Sequence, residues 1–331
     1  MNSFPALLQA FFTDKLIAER QASTNTLAAY RDAFVLLLRY LDEVEGHRPE
    51  TITFEICNAR VVASFLNYLE TKRGNSASTR NARLAAIRSF YRYASYREPA
   101  QALRIAEVLS IGTKRRTNHL VEYLEHDEIL ALLAAPDQTR WHGRRDYLLL
   151  FTAIHTGLRV SELAGLNASD VHLRPTGSYV QCVGKGRKTR RTPLASPTHT
   201  MLERWMSECA LADQQPVFGT VTGRRLSRDA IAKILRIHLQ VAALKCPSLV
   251  GKNITPHSLR HTCAMLLLQA GVDINVIAMW LGHQSPETTQ IYLHADLRAK
   301  EEALAKIAHE PDSAPDRFHA DGELLEFLAK L

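Results

Sequence analysis

The chain has 331 residues, a length that suits two domains better than one. Its 46 % hydrophobic and 23 % charged residues are ordinary for a globular protein and exclude disorder over most of its length. No uncharged apolar stretch approaches the roughly 18 residues that a membrane span needs. We therefore expect no membrane partner and a cytoplasmic location. Five cysteines without a CxxC pair fit a reducing compartment.

The net charge of +7 is unevenly distributed along the chain. Residues 1–121 hold 17 basic and 11 acidic side chains, residues 122–310 hold 22 and 18, and residues 311–331 hold 2 and 5. A basic body with a short acidic tail indicates an anionic partner such as nucleic acid. The most basic linker lies at residues 111–118. We therefore predict a helical domain over 1–110, a basic linker over 111–121, a second domain over 122–310 and an acidic C-terminal tail over 311–331.

Apolar residues of the first domain recur at helical spacing over 4–17, 26–41, 61–69 and 79–94. Ser78 or Thr79 is the expected N-cap of the last of these helices. Arg88 and Arg92 lie four residues apart beside its apolar stripe, where they could contact a DNA backbone. A solvated helix face is an equally good interpretation of this segment alone.

The second domain alternates helical patterns with one hairpin. Helices are expected over 126–135, 144–155, 200–211, 227–241 and 258–270, with strands over 179–183 and 188–194. Asp273 is expected to cap a short helix that stops at Gly282, and residues 285–287 (SPE) to start a final helix carrying Tyr292. The fold class is therefore mainly α with a small antiparallel β-sheet.

Four short strings in this domain carry chemically versatile residues. They are residues 156–163 (TGLRVSEL), 184–187 (GKGR), 257–260 (HSLR), and 281–283 (LGH) with Tyr292 nine residues further on. Each alone has an ordinary structural explanation, such as an ion-paired arginine, a solvated hairpin tip or a core tyrosine. His257 and His261 have a spacing seen in metal sites, but without a glutamate between them we predict no metal.

Taken together, two arginines, a lysine, two histidines and a late tyrosine describe a site for phosphodiester transesterification. A tyrosine hydroxyl can attack phosphorus and form a phosphotyrosine bond. Two guanidiniums can offset the charge that grows on the phosphate oxygens. A lysine can protonate the leaving sugar oxygen, while histidines can accept the tyrosine proton and bind the phosphate.

These motifs closely resemble, in order and approximate spacing, those of the tyrosine recombinase (phage integrase) family, in particular its Xer-like and integrase branches. The resemblance covers nearly the whole chain. It implies an N-terminal core-binding helical domain and a mixed α/β catalytic domain of the tyrosine recombinase type. It also implies site-specific cleavage and rejoining of DNA through a 3′-phosphotyrosine, without metal, ATP or another cofactor. The catalytic residues that it implies are Arg159, Lys185, His257, Arg260, His283 and the nucleophile Tyr292.

The resemblance further implies double-stranded DNA with inverted-repeat recombination sites as the partner. The expected assembly is a homo- or hetero-tetramer on DNA, with a second recombinase in the latter case. We expect basic side chains of the N-terminal helical domain, the linker and the hairpin to contact the DNA: Arg80, Arg88, Arg92, Lys114, Arg115, Arg116, Arg187, Lys188 and Arg190. The tail at 323–331 could dock on a neighbouring protomer or fold on its own domain.

Alternatives from other classes stay open at this point. One is a catalytically silent DNA-binding protein on the same fold, and another is a nicking-closing (type IB) topoisomerase. Within the recombinase interpretation, integration, excision or transposition of a mobile element competes with Xer-like resolution of replicon dimers. The longer tail slightly favours the mobile element.

Overall fold

The computed structural model describes residues 3–115, 121–183 and 189–282, together with Thr289 and Tyr292. The chain divides into two compact units, Met1–His119 and Leu120–Leu331. Of the helices in the described part of the chain, none is both long and apolar enough to cross a membrane.

The described part of the first unit is helical. Its α-helices are α1 (Phe4–Ala10), α2 (Thr24–Glu43), α3 (Ala59–Thr71), α4 (Ala77–Ser95) and α5 (Ala102–Ser110), and α1 continues into a π-helical segment over Phe11–Glu19. The expected N-cap of α4 was wrong: the Ser76 hydroxyl accepts the backbone N–H of Thr79, so Ser78 and Thr79 already lie inside the helix. Helix α5 was not predicted, since only nine residues carry its pattern.

An aromatic core holds these helices together. Phe4 lies edge-on to Phe54 and Phe90, with ring centroids 5.1 Å apart in both pairs, and Phe11 and Phe34 extend the cluster. Such edge-to-face pairs stabilise a core by about 0.5–1.5 kcal/mol beyond the burial of their area. The expected helical periodicities over 26–41, 61–69 and 79–94 correspond to the buried faces of α2, α3 and α4.

The second unit combines helices with a small sheet. Its helices are α6 (His126–Leu133), α7 (Trp141–Thr156), α8 (Val160–Gly165), α9 (Ser196–Glu208), α10 (Arg228–Ala243), α11 (Pro256–Gln269) and α12 (Ile274–Leu281), and its strands are β1 (Val171–His172), β2 (Tyr179–Val183) and β3 (Thr189–Pro193). The predicted class, mainly α with a small antiparallel sheet, is confirmed. The final predicted helix lies outside the described residues except for Thr289 and Tyr292.

The sheet has the order β1-β2-β3 and is antiparallel throughout. Tyr179 pairs with Pro193 and Val183 with Thr189, which matches the expected hairpin, whereas the two-residue strand β1 was not predicted. Alternate residues of β2, Val180 and Cys182, are buried in the core of the unit. The opposite face of the hairpin mixes apolar and polar side chains, among them the exposed Val183.

Helix α7 ends where three helices meet. Gly157 caps α7 with φ +63°, in the left-handed region that favours glycine. A Cβ added there would lie 2.6 Å from Leu281 Cδ2 and 3.1 Å from Cys263 Sγ. The end of α7 therefore packs directly on α11 and α12. This packing brings residues that are 100 or more positions apart in sequence to one place.

Candidate active site

Arg159 occupies the N-cap position of α8, directly after the turn at Gly157. Its backbone N–H donates to Glu162 Oε2 at 2.7 Å, and its Nη1 donates to Glu162 Oε1 at 3.0 Å. Its Nη2 donates to the carbonyl oxygen of Gly282 at 3.1 Å. The side chain stays 33 % exposed. Glu162 therefore orients a guanidinium that still reaches solvent.

Arg260 lies on α11 and is 2 % exposed. Its Nη1 donates to the carbonyl oxygen of Gly157 at 2.7 Å, and its Nη2 donates to that of Leu281. Burial, with the positive charges of Arg159 and Arg190, lowers the pKa of Arg260 to about 10, so the group stays charged at neutral pH. Because a guanidinium has five N–H donors, these two bonds leave capacity for an anionic ligand.

His257 and His261 lie one turn apart on the N-terminal part of α11, with ring centroids 4.3 Å apart. His257 is exposed. Partial burial of its ring, with the positive charges of Arg260 and Arg159, lowers the pKa of His257 from its ordinary value of 6.5. The imidazole is therefore neutral at pH 7 and able to accept a proton.

Tyr292 is 1 % exposed and packs against Ala264, Met265, Ile277 and Leu281. Its Oη lies 2.9 Å from His261 Nδ1, within hydrogen-bond distance. Burial raises the pKa of Tyr292 to about 12, an effect that the positive charge of Arg260 partly offsets. The hydroxyl is therefore protonated at neutral pH and has to lose its proton before it can act as a nucleophile.

Two residues of this site were not among those expected from the sequence. Glu162 lies three residues after Arg159, and its acidic side chain within the string TGLRVSEL was the available signal. In the sequence, His261 stands out only as a potential metal partner of His257, although its i+4 spacing places it on the same helix face. Within the described ranges, the structure brings together no group of three or more His, Cys, Asp or Glu side chains that could hold a metal ion.

Several expected site residues lie outside the described residues. They are Lys185 and His283 of the catalytic set, and Arg116, Arg187 and Lys188 of the DNA-binding set. The structure brings together the other four members of the catalytic set, Arg159, His257, Arg260 and Tyr292, around α11 and the end of α12.

The remaining residues of the expected DNA-binding set differ in their surroundings. Arg80 is buried and donates to the Gly112 carbonyl at 2.8 Å, and Arg88 donates to the Ile111 carbonyl. These guanidiniums satisfy carbonyls of the extended segment after α5, which has no helical partners for them. Lys114 pairs with Glu70 at 2.8 Å.

Of the three further arginines of that set in the described residues, two are exposed and one is not. Arg92, in the last turn of α4, and Arg115 both face solvent. Arg190 on β3 is only 13 % exposed and donates to Glu162 and to the Trp280 carbonyl. Its guanidinium therefore points into the protein and not toward a DNA backbone.

The fold and the site define a class of protein. A helical N-terminal unit precedes a mainly helical unit with a three-stranded antiparallel sheet, and the second unit brings arginines, histidines and a tyrosine together. This is a tyrosine recombinase. The model of the phage integrase family matches residues 122–298, and that of the phage integrase N-terminal SAM-like domain matches residues 10–98. The chain belongs to the phage integrase family.

Curated relatives extend over most of the chain. It is 46 % identical over 330 residues to a putative integrase/recombinase, y4rC, of Sinorhizobium fredii, covering 99 % of this chain and 98 % of the relative. It is 34 % identical over 309 residues to the tyrosine recombinase XerC of Pelobacter propionicus, covering 91 % and 94 %. The recognition of the family from its motifs is confirmed, and so is site-specific recombinase activity.

Solved structures share the fold. The Tn1549 transposon integrase in complex with transposon right end DNA aligns with a TM-score of 0.70 at 15 % identity, over 93 % of this chain and 100 % of that one. The XerH site-specific recombinase bound to a palindromic difH substrate aligns with a TM-score of 0.67 at 24 % identity, over 87 % and 81 %. At these identities the likeness concerns the fold.

Proposed function

We propose that this recombinase cleaves one DNA strand with Tyr292 and serves the integration, excision or transposition of a mobile element. One observation supports the proposed cleavage by Tyr292. Arg159 and Arg260 donate to the adjacent carbonyls of Gly282 and Leu281. The same unit contains the buried Tyr292, whose hydroxyl lies within hydrogen-bond distance of a histidine. Two positive groups thus lie side by side where a phosphate can be held. The name of the relative from Sinorhizobium fredii supports an integrase/recombinase role.

The phosphate is the group that this arrangement suits. Two guanidiniums present planar sets of N–H donors that match phosphate oxygens. In the transition state the negative charge on the non-bridging oxygens grows, and fixed positive groups lower its energy without having to reorganise. Arg260 is held rigidly in the core, whereas Arg159 is partly exposed, so the DNA phosphate would approach from the side of Arg159.

Proton transfer is the second requirement of the reaction. Tyrosine Oη forms the new bond to phosphorus and releases its proton, while the bond from phosphorus to the 5′ oxygen breaks. His257, with its lowered pKa, is a suitable proton acceptor or phosphate ligand. Lys185 supplies a proton to the departing 5′ oxygen, and His283 binds the phosphate. The resemblance to the family supports these last two roles.

The reverse reaction completes strand exchange. A 5′-hydroxyl of the partner duplex attacks the phosphotyrosine, so that the tyrosine leaves and the phosphodiester is restored. Bond energy is conserved through the covalent intermediate, and no ATP is required. In the DNA-free chain the Tyr292 hydroxyl lies within hydrogen-bond distance of His261 Nδ1, and we expect DNA binding to release it from this contact.

The family to which this chain belongs also supports proposals for its DNA substrate, its assembly and the role of each segment. We infer that the substrate is double-stranded DNA with inverted-repeat sites and that four protomers, identical or of two kinds, assemble on two such sites. Residues 1–110 serve as the core-binding domain, residues 111–121 as the basic linker, and residues 122–310 as the catalytic domain. The acidic segment 311–331 either docks on a neighbouring protomer or folds on its own domain. We place the protein in the cytoplasm, where such DNA is found.

The test is to trap the protein covalently on its host DNA under denaturing conditions and to sequence the attached DNA. The matched control is Tyr292→Phe, which lacks only the nucleophilic oxygen and should still bind DNA. We expect adducts at a discrete inverted-repeat site with the wild type and none with the variant. Sites at the ends of a mobile element would support the proposed role, and sites on a replicon would favour dimer resolution.

Other results would contradict the proposal. Adducts that depend on Tyr292 but are scattered over many sequences would indicate a nicking-closing topoisomerase. The absence of adducts despite normal DNA binding would indicate a silent DNA-binding protein. Adducts formed by Tyr292→Phe would place the nucleophile elsewhere.

A further inference from the structure

The C-terminal end of α12 gathers three arginines. The carbonyl oxygen of Trp280 accepts from Arg190 Nη1 at 2.6 Å, that of Leu281 from Arg260 Nη2, and that of Gly282 from Arg159 Nη2 at 3.1 Å. Three successive carbonyls thus each bind a different guanidinium. The last carbonyls of a helix lack intrahelical partners and carry partial negative charge, which makes them suitable acceptors for cations.

Arg190 is the arginine of this group to which neither the sequence nor the family resemblance assigned a catalytic role. Besides Trp280, it donates from Nη2 to Glu162 Oε2 at 2.6 Å. Its aliphatic stem packs on Gly282, where an added Cβ would lie 2.8 Å from Arg190 Cδ. Arg190 therefore joins three elements: it lies on β3, and it contacts α8 through Glu162 and the end of α12 through the carbonyl.

Glu162 connects Arg190 to Arg159 through hydrogen bonds. The carboxylate of Glu162 is buried; its Oε1 accepts from Arg159 Nη1, and its Oε2 accepts both from the Arg159 backbone N–H and from Arg190 Nη2. A carboxylate held on both oxygens cannot rotate without breaking one of these bonds. The orientation of the partly exposed Arg159 guanidinium thus depends in part on the hydrogen bond that Arg190 donates to Oε2 of the same carboxylate.

We propose that Arg190 is a positioning residue for strand cleavage: it fixes Glu162 and the end of α12, and so holds Arg159 in the orientation that grips the phosphate. The inference rests on the proposed role of Arg159. A forked guanidinium is required because the two acceptors, Glu162 Oε2 and the Trp280 carbonyl, belong to different elements. A lysine ammonium is a point charge that lacks the planar fork.

The central variant is Arg190→Lys, which keeps the charge and removes the fork. Its matched control is Arg191→Lys, on the opposite face of β3, where the exposed Arg191 stacks on Tyr179. The first readout needs no activity: the pKa of His257, followed by NMR of its imidazole and assigned with His257→Asn. Because Arg159 helps to lower this pKa, a displaced Arg159 should let it rise in Arg190→Lys and not in Arg191→Lys.

The second readout is the single-turnover cleavage rate on the DNA site recovered by covalent trapping. We expect Arg190→Lys to slow cleavage by about 10–100-fold, the order of loss that follows a misplacement of about 1 Å. Affinity for a 40-base-pair duplex carrying that site should stay within about twofold. Arg191→Lys should cleave at the wild-type rate. An unchanged melting temperature identifies variants that fold.

A double variant tests whether Arg190 affects the cleavage rate through Glu162 or independently of it. If Arg190 acts through Glu162, Arg190→Lys combined with Glu162→Gln should cleave no more slowly than the slower single variant. Additive losses would overturn the proposal, and so would a wild-type cleavage rate with weakened DNA binding, which would make Arg190 a DNA contact. If the wild type forms no adduct, the proposed function fails, while the pKa of His257 still decides whether Arg190 positions Arg159.

Discussion

The ionisable side chains around α11 have protonation states that suit a nucleophilic tyrosine and a neutral base. Tyr292, with a pKa of about 12, keeps its proton at neutral pH, whereas the lowered pKa of His257 keeps this imidazole unprotonated. Arg260 stays charged despite its burial. At neutral pH the site therefore contains a charged arginine that can bind a phosphate and a neutral histidine that can accept a proton.

The pH dependence of cleavage tests this assignment of His257. If neutral His257 is required, protonation should inactivate the enzyme, and the acid limb of the rate profile should have its midpoint below 6.5 because the pKa of His257 is lowered. Single-turnover cleavage between pH 5 and 8 measures the midpoint, with His257→Asn as the comparison. An acid limb that persists unchanged in His257→Asn would belong to another group.

Glu128 offers a prediction on stability rather than catalysis. Its buried carboxylate accepts from Ser248 Oγ and Lys252 Nζ, each at 2.7 Å. Burial alone would raise the pKa of Glu128, but these hydrogen bonds outweigh it and the pKa lies below 4.5. We expect Glu128→Gln to lower the free energy of unfolding at pH 7 by about 2 kcal/mol, as hydrogen bonds to charged groups do.

The pH dependence of this loss follows from the direction of the shift. A carboxyl with a lowered pKa in the folded state stabilises the protein above about pH 4.5 and loses this effect as the pH falls through the folded value. Urea unfolding should therefore show a constant difference between wild type and Glu128→Gln from pH 7 to 5, and a shrinking one below. Glu203→Gln, at an exposed position, is the control and should change stability by less than about 0.5 kcal/mol. A difference that grows in acid would contradict this account.

At the scale of elements, the turn between α7 and α8 positions Arg159, the first arginine of the proposed catalytic set. Gly157 is left-handed, and any side chain there would meet Leu281 and Cys263. We expect Gly157→Ala to lower the free energy of unfolding by about 2–4 kcal/mol, from the left-handed strain and the overpacking together.

A matched substitution lies eight residues further on. At Gly165, the last residue of α8, an added Cβ would meet no atom within 4 Å and the backbone is not left-handed. Gly165→Ala should therefore leave stability unchanged or raise it slightly. Thermal and urea unfolding of the two variants provide the comparison. Equal effects would show that the packing of α7 on α12 does not depend on the absence of a side chain at 157.

At the scale of the whole molecule, the charge distribution determines how the protein meets DNA. The net charge is +6 in residues 1–121 and +4 in residues 122–310, so both units attract a polyanion. Some of these basic side chains make internal contacts and are not available to DNA. Arg80 donates to the carbonyl of Gly112, and Arg88 donates to that of Ile111. The exposed Arg92 is the better candidate on α4 for a phosphate contact.

The salt dependence of DNA binding tests Arg92 directly. Each neutralised phosphate contributes about −0.9 to the slope of log K against log salt concentration on duplex DNA. Arg92→Gln should therefore reduce the magnitude of the slope by about 0.9 on a duplex of arbitrary sequence. The control Arg39→Gln removes an exposed arginine of α2 that has no assigned DNA contact. A slope that changes equally in both variants would show that only total charge matters.

Much of the local structure could be read from the sequence, because it depends on neighbours three or four residues away. The periodicities of α2, α3, α4, α10 and α11, the Asp273 cap, the stop at Gly282 and the two hairpin strands all follow from such short-range rules. The order and spacing of the motifs were enough to identify the family. Short or weakly patterned elements such as α5 and β1 carried too little signal.

The tertiary structure decided which groups each side chain meets. Arg190 is 90 residues from the Trp280 carbonyl, His261 is 31 residues from Tyr292, and Arg80 is 32 residues from the Gly112 carbonyl. A basic side chain on a strand or helix has the same sequence signature whether it faces DNA or an internal acceptor. Only folding brings the carbonyls and carboxylates close, and the cost of leaving a buried polar group without a partner then selects the inward orientation.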